Sequence, residues 1–78
     1  MKNIVMPRLG LTMEEATLLN WLIKEGNAFQ EGEIIFEIET DKVTSEVEAP
    51  FAGKLAKILV AEGETVAVST PVAEAEEG

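Results

Sequence analysis

One basic side chain stands alone in a run of acids. Lys42 is the only Lys or Arg between Lys24 and Lys54, and Glu37, Glu39, Asp41, Glu46 and Glu48 surround it in sequence. A protruding primary amine can be acylated, so an enzyme could attach an arm there through an amide bond. The amine must shed its proton before it attacks, and acylation then removes one positive charge from a chain already at −9. The plainer reading of Lys42 is a solvated turn lysine pairing with Glu39 or Asp41, worth at most about 1 kcal/mol on a surface. Three features favour the acceptor reading: its place between two sequence repeats, its isolation among acids, and strands that alternate on both sides of it.

Other chemistries find little support. No His, Cys or Tyr occurs, so Ser45 and Ser69 have no imidazole to activate them and there is no thiol nucleophile. Glu14 and Glu15 are adjacent, which sends their side chains to opposite sides of an extended chain. A paired-carboxylate hydrolase needs a cleft for which 78 residues leave little room. No EF-hand spacing is present. The domain is expected not to be an enzyme by itself.

An amine held at a fixed place needs elements to hold it. Phe36 and Ile38, then Val43, Ser45 and Val47, alternate with polar residues, which is the pattern of strands with one buried face. Thr40-Asp41-Lys42 joins the two runs as a hairpin turn, where an Asp side chain can bond nearby backbone amides. A hairpin tip offers the same geometry to every visiting enzyme, as a flexible tail would not.

The whole chain is 78 residues, 46% hydrophobic, with six Gly, three Pro and no Cys. That is one domain, too apolar to be disordered, with nothing that marks an oxidising compartment. A net charge of −9 argues against nucleic acid and anionic membrane, and permits a basic protein partner. Apolar runs such as Ile58-Leu59-Val60-Ala61 are far too short to span a bilayer, and the N-terminus lacks a signal-peptide layout. The expected location is cytoplasmic, or the mitochondrial matrix for a processed chain.

A shift of 37 positions lays Gly26 on Gly63, Glu25 on Glu62, Leu22 on Leu59 and Leu18 on Leu55. Two copies of a motif that cannot bury its own face should pack on each other. The expected strands are 3–6, 16–24, 28–30, 34–39, 43–48, 54–60, 65–68 and 72–75, with 8–15 as a loop. Trp21 and Ile23 should point inward, although Trp21 could instead be a recognition aromatic; Phe51 has no evident role. Short strands with closely spaced turns predict an all-β sandwich or barrel with internal pseudo-two-fold symmetry. That symmetry should exchange the hairpin tip with the chain ends and put Lys42 at the opposite pole from the termini.

Met6-Pro7-x-Leu9, Thr12-Met13, Trp21, Glu25-Gly26, Glu37-x-Glu39-Thr40-Asp41-Lys42, Pro50, Gly53, Leu55, Ile58 and Glu62-Gly63 together resemble the lipoyl domains of dihydrolipoyl acyltransferases in 2-oxo acid dehydrogenase complexes. The resemblance covers nearly the whole chain. It implies a flattened barrel of two four-stranded antiparallel sheets and a lipoyl carrier domain over residues 1–76, with 77–78 beginning a linker. It implies lipoate in amide linkage on Lys42, with Glu39, Thr40, Asp41 and Val43 as the hairpin read by a lipoate-attaching enzyme. The implied partners are a thiamin-diphosphate-dependent decarboxylase, an acyltransferase catalytic domain that transfers to coenzyme A, and a dihydrolipoyl dehydrogenase. In such domains the loop after the first strand helps the decarboxylase choose its carrier. Here that loop is Arg8, Leu9, Gly10, Leu11, Thr12, Met13, Glu14 and Glu15, which could equally be a plain connection. Thr12-Met13 leans towards pyruvate or acetoin complexes. Biotin carriers share the fold, but their signature has Met on each side of the lysine, where this chain has Asp41 and Val43. The glycine-cleavage carrier has extra helical segments that this chain lacks, and Ala16 stands where many relatives have Gly. An unmodified β-sandwich binding module is the contrasting alternative.

Overall fold

Apolar residues at every second position fold the described residues into eight strands: β1 (Lys2–Val5), β2 (Glu15–Trp21), β3 (Ala28–Phe29), β4 (Ile34–Glu39), β5 (Thr44–Glu48), β6 (Gly53–Ile58), β7 (Thr65–Ala67) and β8 (Pro71–Glu77). The computed structural model describes residues 1–8, 14–41 and 43–77. Two antiparallel four-stranded sheets result, ordered β1-β8-β6-β3 and β5-β4-β2-β7. Renaming β1 to β4 as β5 to β8, and the reverse, turns one order into the other, so the two-fold inferred from the repeat is the symmetry of the sandwich. The molecule measures 33 × 20 × 18 Å.

The core lies between the sheets. Phe29, Phe36, Leu18, Ile38, Leu55 and Val72 are almost wholly buried, and no polar or charged side chain is buried among the described residues. Strict alternation would bury only one of Ile35 and Phe36, yet both are buried. A bulge in the β4–β5 register between Ile34 and Phe36 turns both inward. The β2–β4 register shifts between Leu18 and Asn20, and the β6–β8 register shifts at the equivalent place, between Leu55 and Lys57. The repeat is not uniform, however. Ile4 stands opposite Ala73 as Val47 stands opposite Phe36. β1 therefore answers β5 at a longer offset than the other strands keep.

The turns between the strands lock the two halves together. The Glu62 carboxylate accepts from the Trp21 N–H at 2.8 Å, and the Glu25 carboxylate accepts from the Ile58 N–H at 2.7 Å. Gly26 N–H donates to the Leu55 carbonyl and Gly63 N–H to the Leu18 carbonyl, each at 2.7 Å. Both glycines sit at φ above +90°, a conformation that side chains with a Cβ rarely adopt. Each Glu-Gly turn thus clasps the strand of the other half.

Several boundaries differ from the sequence reading. Glu15, expected in the loop, begins β2 because it pairs with Ala67 of β7. β2 ends at Trp21, and β8 runs on through Glu77, which pairs with Gly53 and meets Lys2 in an ion pair at 3.2 Å. Glu77 is therefore part of the sandwich, one residue past the expected boundary, and Gly78 lies outside the described residues. Ile23 is buried as expected, whereas Trp21 is half-buried, its ring 4.9 Å from Phe36 and its Nε1 donating to the Val60 carbonyl. Phe51 packs 5.8 Å from Phe29 and lies under the Lys2 ammonium.

Candidate functional site

The β4–β5 hairpin ends where Glu39 pairs with Thr44. Beyond that pair, the Thr40 N–H donates to the Val43 carbonyl at 2.8 Å, with two positions between them in sequence. Lys42 itself lies outside the described residues. Its neighbours on both sides are exposed, Asp41 in the loop and Val43 at 57%. Alternation puts Val43 on the buried face, but it lies outside β5, beyond the last ladder pair Glu39–Thr44. Val47, further along the same face, is buried, and Ser45 is intermediate. Glu39 is exposed, and Thr40 is half-buried.

Register places the start of β2 at the same end. Thr17 of β2 stands opposite Glu39. Antiparallel pairing therefore carries Glu15 level with the hairpin tip. Glu14 accepts from the Val68 N–H at 2.9 Å, and Met6 exchanges bonds with Ser69 and Thr70 at 2.8 and 2.9 Å, so both roots of the loop are fastened to the β7–β8 turn. Arg8 and Glu14 are exposed. Leu9, Gly10, Leu11, Thr12 and Met13 lie outside the described residues. From that turn β8 runs seven residues to Glu77, about 20 Å at the usual rise per residue. The paired ends Lys2 and Glu77 thus lie a strand length away from the end where Glu15 and the tip meet. A shallow groove of about 520 Å³ near those ends is lined by Lys2, Val5, Glu48, Pro50 and Phe51, among others.

The two sheets differ in charge although the two-fold relates them. The strands of β1-β8-β6-β3 carry Lys2, Lys54 and Lys57 with Glu74, Glu76 and Glu77, and cross-strand pairing sets Lys54 opposite Glu76 and Lys57 opposite Glu74. The strands of β5-β4-β2-β7 carry Glu15, Glu37, Glu39, Glu46 and Glu48 and no cation. Glu37 even faces Glu46 directly across the hairpin, a like-charge pair that disfavours the sheet. Asn20 donates to the Glu37 carboxylate at 2.9 Å and takes up part of that cost.

The sequence reading named the hairpin residues but missed what Thr40 does. Its hydroxyl accepts from the Val43 N–H and donates to the Val43 carbonyl, each at 3.3 Å. It also missed the clasps of Glu25 and Glu62. Their recurrence before Gly in both repeats was visible, but their partners lie 33 and 41 positions away.

Comparison with known proteins agrees with this architecture. The Biotin_lipoyl family model, described as "Biotin-requiring enzyme", matches residues 2–74. The chain is 54% identical over 72 residues to the pyruvate dehydrogenase E1 component subunit beta of Rhizobium meliloti, covering 91% of this chain and 16% of that protein. It is 56% identical over 61 residues to the dihydrolipoyllysine-residue acetyltransferase component of the pyruvate dehydrogenase complex of the same organism, covering 78% of this chain and 14% of that one. With the succinyltransferase component of the 2-oxoglutarate dehydrogenase complex of Rickettsia bellii it shares 44% over 76 residues, covering 97% of this chain and 19% of that one. The chain thus spans under a fifth of the length of these relatives. The solution structure of the lipoyl domain of the 2-oxoglutarate dehydrogenase complex from Azotobacter vinelandii superposes with a TM-score of 0.77 at 36% identity, covering 97% of this chain and 96% of that one. The chain therefore belongs to the Biotin_lipoyl family and, within it, is a lipoyl domain, a carrier module and not a catalyst in itself.

Proposed function

We propose that this domain presents Lys42 as the attachment point of a lipoyl arm and serves the acyltransferase component of a 2-oxo acid dehydrogenase complex. The observation that carries the reading is the close of the hairpin at the Thr40–Val43 hydrogen bond, with exposed Asp41 and Val43 on either side of position 42 in sequence. An amine there is open to an attaching enzyme, and an arm built on it is free to travel. Asp41 and Val43 stand where biotin carriers have Met, which favours lipoate over biotin. On Lys42, lipoate would supply a disulfide for reductive acylation by a thiamin-diphosphate-dependent decarboxylase, a thioester for acyl transfer to coenzyme A at an acyltransferase domain, and a dithiol for reoxidation by a dihydrolipoyl dehydrogenase. The protein's own contribution is to hold the anchor at one pole and the chain ends at the other, so that a tether does not crowd the arm. Tethering raises the effective concentration of the carried group at each partner.

The substrate we favour is pyruvate or a close relative such as acetoin. Identity is 56% and 54% to the two pyruvate-complex chains above and 44% to the 2-oxoglutarate one. The loop from Arg8 to Glu15, whose described end lies level with the tip, is the surface we assign to decarboxylase selection. The uncompensated acids of the hairpin sheet suit a partner with a cationic face. The cytoplasm or the mitochondrial matrix is the compartment we assign to this work.

Reductive acylation tests the reading. Lipoylated domain incubated with pyruvate-specific and 2-oxoglutarate-specific decarboxylases should gain an acetyl mass with the first and little or no succinyl mass with the second. Preferential succinylation would overturn the substrate assignment, and no acyl transfer from any 2-oxo acid or acetoin decarboxylase would overturn the carrier assignment.

A further inference from the structure

Each sheet of the sandwich ends in two edge strands, β1 and β3 in one, β5 and β7 in the other. An edge strand carries backbone amides and carbonyls that have no partner in the sheet, and such a row is a template for another strand. β3 and β7 are only two and three residues long. β5 sets exposed Glu46 and Glu48 along its edge. β1 holds no acid and no proline, and its one charge, on Lys2, is already met by Glu77.

The hydrogen bonds that follow β1 show which of its groups face out. The Met6 N–H donates to the Thr70 carbonyl at 2.9 Å and the Met6 carbonyl accepts from the Ser69 N–H at 2.8 Å, both on the β8 side. Successive residues of an antiparallel strand turn these groups to opposite sides. Val5 and Asn3 therefore turn theirs away from β8. Pro71, which stands opposite Val5, has no N–H to give it. The irregularity between Ile4 and Val5 places its extra residue on β8, so the alternation along β1 is unbroken.

Beside this edge runs the shallow groove of about 520 Å³. Its apolar wall is Val5, Val47, Pro50 and Phe51, with Val5 exposed and Phe51 half-buried. Glu48 also lines it, exposed and without an ion pair to any described residue. We propose that the β1 edge and this groove bind an extended segment of a partner protein. The segment matches β1 in length and carries apolar side chains at alternate positions with Lys or Arg between them. Its main chain bonds to Asn3 and Val5 as an added strand, its apolar side chains enter the groove, and a cation meets Glu48. A second copy of the chain is a poor occupant, because each copy carries a net charge of −9. The site does not use the hairpin tip, so it can fill whatever position 42 carries.

Nuclear magnetic resonance on the isotope-labelled domain at low salt tests this. The probe is an eight-residue peptide of alternating valine and lysine, blocked at both ends. One control replaces its lysines by glutamates. The other is the lysine peptide N-methylated along its whole backbone, which keeps the charge but cannot donate as a strand. The lysine peptide should shift the Asn3 and Val5 amides to saturation, and each control should bind about tenfold more weakly or worse. Glu48→Gln should weaken the lysine peptide about threefold, the scale of an exposed ion pair. Val5→Pro should abolish the shifts and leave melting unchanged, since proline is tolerated where an edge N–H faces solvent. The N-methylated peptide makes the same comparison without touching the fold. Equal binding by that peptide would overturn the proposal, because attraction to the net charge would then account for it all. Shifts centred away from β1 would overturn it too. So would Asn3 and Val5 amides that move with domain concentration alone, which would make a second copy the occupant.

Discussion

At the residue scale, the side chains that shape the tip are few, and the plainest constraint on the fold is a missing one. A Cβ on Gly53 would run into the Glu76 carbonyl of the neighbouring strand, a backbone group that cannot swing aside. Gly53→Ala should therefore cost about 1–3 kcal/mol through overpacking. For a domain of this size that lowers the thermal midpoint by roughly 10 °C, readable by circular dichroism. An unchanged midpoint would mean that β6 and β8 can part without cost. Gly53 was noticed in the sequence as part of a motif, but its reason was not legible there, since the crowding atom lies 23 positions away. Phe51 is a similar case. Its partners, Phe29 and Lys2, come from distant parts of the chain, so nothing local explained it. Lys42 stands out in the sequence because its signal is local, one cation in an acidic stretch, and its role stays a proposal.

At the element scale, the two Glu-Gly turns do more than reverse the chain. Each carboxylate receives an amide from the opposite half, and the two contacts are images of one another under the two-fold. Glu25→Ala and Glu62→Ala should each cost about 1 kcal/mol, at the lower end for bonds to charged groups because both carboxylates are exposed. Glu→Gln at either position should lose less, since the amide oxygen still accepts. Denaturant melts of the four variants check this, and a loss at one turn with none at the other would show that the clasps are not equivalent. The strands themselves were read nearly in place from period-two alternation. The boundaries that moved did so for tertiary reasons. Glu15 joined β2 through β7, and Glu77 joined β8 through Gly53 and Lys2. Alternation also misplaced Val43, because a pattern of side chains does not say where the β4–β5 ladder ends.

At the scale of the whole molecule, a duplicated half has been put to two uses. Both sheets follow one topology, but one is balanced in charge and the other is bare acid leading to the hairpin tip. The symmetry was readable from Gly26 and Gly63, and with it the exchange of the tip for the chain ends. The longer offset of β1 onto β5 was not, because those strands share too little sequence to align. The charge contrast was also hidden, since it depends on which strands become neighbours. On the function proposed above, these features serve a hairpin whose last ladder pair, Glu39–Thr44, is set away from the paired ends Lys2 and Glu77. The most direct check is intact mass followed by peptide mapping of the domain after reaction with lipoate and its ligase, for wild type and Lys42→Arg. Wild type should gain one lipoyl group, mapped to the peptide containing Lys42, and Lys42→Arg should gain none while melting as wild type does. A lipoyl group found on Lys54 or Lys57, or retained by Lys42→Arg, would contradict the account.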